Sequence, residues 1–86
     1  MTYPMTLDLL TSLHVVDDDV SAVVEAYMVN PDIGTVTFGE GFRIDPAAAV
    51  AGHPFAKALM GQPWASDELR RAAVRAAILL AQPERC

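Results

Sequence analysis

Residues 32–46, DIGTVTFGEGFRIDP, decide the fold. Val36 and Phe38 alternate with Thr35 and Thr37, and beyond Gly39-Glu40-Gly41 the alternation resumes with Phe42 and Ile44 around Arg43. Period-two patterning on both sides of a short glycine-containing turn predicts a β-hairpin over about 35–44. The two glycines permit the positive φ angles that such a turn usually needs. The apolar residues share one face of the hairpin, and the segments on either side offer helices to cover it.

Upstream, residues 18–29 gather Val20, Val23, Val24, Tyr27 and Met28 on one side of a helix. Asp17 reads as the N-cap, with Asp18 and Asp19 in the first turn, where the helix dipole favours negative charge. Pro31 should stop this helix at Asn30. The dipole explains why three aspartates are tolerated, not why three are present, since one cap would serve. Downstream, residues 46–61 read as helical, with Asp45 as N-cap and Pro46 in the first helical position. Gly52 and Pro54 should break the segment in two, and His53, within that break, reads as a capping or hydrogen-bonding residue.

The 67–81 helix has the clearest boundaries. Ser66 caps it, Asp67 and Glu68 occupy its first turn, and Pro83 follows its end. Leu69, Ala72, Ala73, Ala76, Ala77 and Leu80 form a broad apolar face, and Arg71, Arg75 and Gln82 a narrow polar stripe. Residues 6–16, TLDLLTSLHVV, fit both periods and lean toward a strand, or a short helix followed by an extended segment. The expected architecture is α+β: a small antiparallel sheet containing the 35–44 hairpin, packed by helices over 18–29, 46–61 and 67–81.

The chain has 86 residues, 52% hydrophobic content and a net charge of -5. This suits a single compact domain over 1–86, too apolar for a disordered protein. Cys86 is the only cysteine, so no internal disulfide forms, and a reducing cytoplasm is expected. MTYPMTLDLL has no basic residue before its apolar ones and does not read as a signal peptide. No stretch is apolar for long enough to cross a bilayer.

Catalytic and cofactor motifs do not emerge. DDDVSAVVEAY lacks the alternating ligands and glycine of an EF-hand. His14 and His53 have no metal-ligand spacing around them. Ser12, Ser21 and Ser66 sit in no nucleophile elbow, and GTVTFGEG has no phosphate-binding lysine. The expectation is a protein that is not an enzyme and carries no metal or cofactor. Arg70, Arg71 and Arg75 form one basic cluster, served by i,i+4 and i,i+3 pairing of Asp67 and Glu68 with Arg71. It is too small for a nucleic-acid interface. Trp64 reads as a core or hinge anchor; exposed, it would be the best single interface candidate.

Charge distribution is the strongest functional signal. Residues 1–45 carry eight acids against Arg43 alone, a net -7, whereas residues 46–86 carry three acids against five basic residues, a net +2. An anionic half disfavours direct nucleic-acid binding and favours a basic protein partner. The candidate partner-binding residues are Asp17, Asp18, Asp19, Glu25, Asp32 and Glu40.

In being short, acidic, cysteine-poor and motif-free, the chain resembles at class level the small anti-CRISPR inhibitors of phages and mobile elements. The resemblance implies a non-enzymatic cytoplasmic inhibitor or adaptor. DDDVSAVVE and the acids near it would then face the basic nucleic-acid groove of a CRISPR effector. The alternative is a structural or oligomeric accessory protein, antitoxin-like or an assembly subunit, associating through its apolar C-terminal helix. Val74 and Ile78 would then form a homodimer contact, with Arg71 and Arg75 at its rim.

Overall fold

The computed structural model describes residues 4–85, so Cys86 lies outside the described residues. Helices α1 (Thr6–Thr11) and α2 (Asp17–Val29) lead into strands β1 (Val36–Phe38) and β2 (Phe42–Ile44). Helices α3 (Pro46–Ala51), α4 (Pro54–Met60) and α5 (Asp67–Leu80) follow, and β3 (Glu84–Arg85) ends the described chain. The fold is α+β, with an antiparallel sheet ordered β1-β2-β3.

The hairpin forms as its alternation predicts. Val36 pairs with Ile44 and Phe38 with Phe42, and Phe38, Phe42 and Ile44 are buried on the inner face. Gly39 and Gly41 take φ of 60° and 87° in the loop between them. The third strand was not legible. PER carries no strand periodicity, and β3 is held by its neighbours: Arg43 donates to Glu84 from Nε and Nη2 at 3.2 and 3.0 Å. The Arg85 guanidinium sits 5.4 Å from the Phe42 ring centroid, a cation–π contact that covers the ring's edge of the core.

The 46–61 segment breaks where glycine and proline foretold. Asp45 Oδ1 accepts the Ala48 N–H at 3.2 Å at the start of α3. His53 Nδ1 accepts the Ala56 N–H at 3.1 Å and so caps α4. That bond requires Nδ1 to be the unprotonated ring nitrogen.

Residues 6–16 take the second of their two expected forms, a short helix that gives way to non-helical chain before an extended Val16, and not the strand. α1 is a helix, and Thr6 anchors it to the end of α5: its N–H and Oγ1 both donate to the Ala81 carbonyl, at 2.9 and 3.3 Å. Asp8, which interrupts the apolar run, accepts the Met5 N–H at 3.2 Å. At the far end, Leu13 N–H bonds Leu10 O and His14 N–H bonds Leu9 O. This pair defines a Schellman stop, whose left-handed position normally holds glycine. Here Leu13 occupies it, at φ 66°.

The capping of α2 also differs. Val16, not Asp17, stands at the N-cap, and Asp19 reaches back to accept the Val16 N–H at 3.0 Å. Asp19 therefore satisfies the helix start, and Asp17 is released for other contacts.

α5 is the hub, touching α1, α2, α3 and α4. Its buried face is Ala73, Val74, Ala77 and Ile78, with Val74 and Ile78 fully inaccessible. This corrects the expected orientation: Leu69 and Leu80, assigned to the core face, are exposed. The inward residues lie in the central turns of the helix, where the other helices pack, whereas Leu69 and Leu80 lie toward its two ends. Burying Val or Ile gains about 1.5–3 kcal/mol each, more than an alanine can offer, and the neighbouring alanines let four helices approach. The self-association surface centred on Val74 and Ile78 is thereby overturned, because both lie in the monomer's own core.

Candidate functional site

Two contacts fix the acidic end of the molecule. The Glu40 N–H donates to the His14 carbonyl at 3.3 Å, docking the hairpin turn on the loop between α1 and α2. Gly39 makes this approach possible. A Cβ there would stand 2.8 Å from Val15 Cγ2 and 3.1 Å from His14 O, closer than a side chain tolerates. Val15 is buried beneath the turn. The hairpin thus delivers Glu40 beside the loop that leads into Asp17, Asp18 and Asp19.

The six candidate acids do not form one surface. Asp17 pairs with Arg75, and Glu25 Oε1 accepts from Arg71 Nε at 2.6 Å. Both arginines thus bridge α5 to α2, where Asp67 and Glu68 had been the expected partners of Arg71. The hydrogen bond that Arg71 donates to Glu25, and then the negative charge of Glu25, raise the Arg71 pKa above its ordinary value. Arg71 and Arg75 therefore join two helices of one chain. Asp19 is occupied as the cap.

Asp18, Asp32 and Glu40 have no side-chain partner among the described residues. Asp32 follows the far end of α2, a helix of 13 residues and hence about 20 Å long. The structure therefore separates Asp32 from the other two and brings Asp18 and Glu40 to the same end.

Sequence reasoning missed the apolar component of this end. Leu13 is 76% exposed and Val16 48% exposed, and both belong to the loop that receives Glu40. In the sequence Leu13 is one more apolar member of the 6–16 run that fits both periods. The usable signal was the absence of glycine or asparagine after α1, which forces leucine into the left-handed position.

Elsewhere, Trp64 lies exposed in the link between α4 and α5, which overturns the core half of its core-or-hinge reading, and its indole N–H donates to Gln62 Oε1 at 3.1 Å. A cleft of about 470 Å³ lies beside Thr35, Arg43, Asp45, Gln82 and Glu84. Its charged groups are already engaged: Arg43 with Glu84, and Asp45 as the α3 cap. Among the described residues no group of three or more His, Cys, Asp or Glu could hold a metal ion, and no helix is long and apolar enough to cross a membrane. Comparison with known proteins found no matching family model, no matching curated protein and no matching solved structure.

Proposed function

We propose that the protein is a non-enzymatic cytoplasmic binding module that engages a basic protein surface through its acidic end. A groove that ordinarily holds nucleic acid is the partner surface best suited to it. The observation that carries this reading is the docked hairpin turn, which puts Glu40 beside the start of α2. Asp18 and Glu40 there remain unneutralised, while Asp17 and Glu25 are spent on intramolecular pairs. The working surface is consequently smaller than the full acidic set: Asp18 and Glu40 supply free charge, with Asp17 and Asp19 adding to the local field. Exposed carboxylates of this kind steer association with cationic surfaces and repel nucleic-acid phosphates. An inhibitor of a nucleic-acid-binding effector, the role that anti-CRISPR proteins fill, fits this chemistry.

The test is affinity capture from lysate with the wild type, Asp18→Lys/Glu40→Lys and Asp32→Lys. A nucleic-acid-binding protein retained by the wild type and by Asp32→Lys, lost with the double variant and eluted by salt supports the reading. Retention that ignores both the charge reversal and salt rejects it, since exposed charge interactions are screened at a Debye length of about 8 Å in physiological salt.

A further inference from the structure

We infer that Leu13 is a hydrophobic anchor, and that the partner of the acidic end is a cationic amphipathic helix whose apolar stripe receives this side chain between its lysines or arginines. The inference rests on the proposed acidic binding surface and deepens it by naming the partner's chemistry.

Leu13 is costly to the fold in two ways. Its φ of 66° puts a branched side chain where the Cβ crowds the backbone, in a Schellman stop that glycine satisfies without strain. Its 76% exposure means that the side chain returns almost no burial in exchange. The stop itself depends only on backbone bonds, from Leu13 N–H to Leu10 O at 3.2 Å and from His14 N–H to Leu9 O at 3.0 Å. Glycine would make both. The fold therefore has no use for leucine here, and a binding surface does: strained residues that the structure holds in place cluster at functional sites.

The surroundings specify what the side chain meets. Val16, half exposed, widens the apolar patch along the same loop. Asp18, without a side-chain partner among the described residues, stands in the first turn of α2, directly after Val16 and the Arg75-paired Asp17. Glu40 joins the same loop through its backbone bond to His14, the residue after Leu13. Exposed apolar side chains on a loop adjoined by unpaired acids are complementary to a helix carrying an apolar stripe bordered by basic residues. That arrangement pairs the charges at the rim and buries leucine at the centre, where binding energy concentrates.

The experiment uses two synthetic peptides of equal length and charge. One is an amphipathic helix of leucine and lysine, and in the other each leucine is replaced by glutamine. Affinities are measured at fixed salt for the wild type, Leu13→Gly and Leu13→Asn, together with thermal melts. The wild type is expected to prefer the leucine peptide. Both variants should lose tenfold or more for it, about 1.4 kcal/mol, while binding the glutamine peptide within twofold of wild type. Leu13→Gly should also melt ~4–8 °C higher, which a side chain serving the fold would not allow. Variants that bind both peptides as the wild type does overturn the anchor and leave the acidic surface standing. A lowered melting temperature for Leu13→Gly likewise overturns it. A wild type that binds neither peptide removes the acidic surface and the anchor together.

Discussion

Replacing Gly39 with alanine should destabilise the protein far more than replacing Gly41, although both glycines have positive φ and lie two residues apart in the same loop. At Gly41, φ is 87° and an added Cβ meets nothing within 4 Å. Alanine there carries only the left-handed penalty, about 1–2 kcal/mol. At Gly39, φ is 60°, and the Cβ would stand 2.8 Å from Val15 Cγ2 and 3.1 Å from the His14 carbonyl. Neither neighbour can yield cheaply. Val15 is 1% exposed and stiff at χ1, and the His14 carbonyl is backbone already bonded to Glu40.

Overpacking of this kind adds about 1–3 kcal/mol, so Gly39→Ala should cost roughly 2–5 kcal/mol in all. Urea denaturation of both variants measures the difference directly. The strain common to the two largely cancels, and what remains is the contact between the turn and the α1–α2 loop. Equal losses for the two variants would refute the docking of the hairpin on that loop, and with it the placement of Glu40 beside α2.

Ile78→Glu should yield an unfolded chain, seen by circular dichroism, and not a folded monomer released from a dimer. Ile78 is fully buried; truncation of such a residue alone costs about 2–5 kcal/mol, and a buried unpaired carboxylate adds to that. The total stability of a chain of this size is only roughly 4–13 kcal/mol. His53→Ala should cost about 0.5–2 kcal/mol through loss of the α4 cap. In the same denaturation assay, His53→Asp should recover most of that, because it restores a side-chain acceptor for the Ala56 N–H.

Features set by local chemistry were legible in the sequence. The Asp45 and Ser66 caps, the break at Gly52–Pro54 and the inward row of Phe38, Phe42 and Ile44 each follow from residues within a few positions of one another. Features set by tertiary contact were not. The α1 segment satisfies both periods, and its bond to Ala81, across 75 positions, favours the helix. The side of α5 that turns inward depends on where α1, α2, α3 and α4 pack along it, and all of these lie outside the helix's own sequence. The acids could be counted but not sorted. Which of them are neutralised depends on Arg71 and Arg75, which lie 46 and 58 positions from Glu25 and Asp17.

The most direct test of the acidic end is an amide-resolved NMR titration of the wild-type protein with an oligolysine peptide at low salt. The predicted result is a single set of shifting resonances in residues 13–19 and 39–41, moving together with one affinity and collapsing as salt is added. Shifts distributed evenly over all the acids, with Asp32 responding as strongly as Asp18 and Glu40, would contradict it.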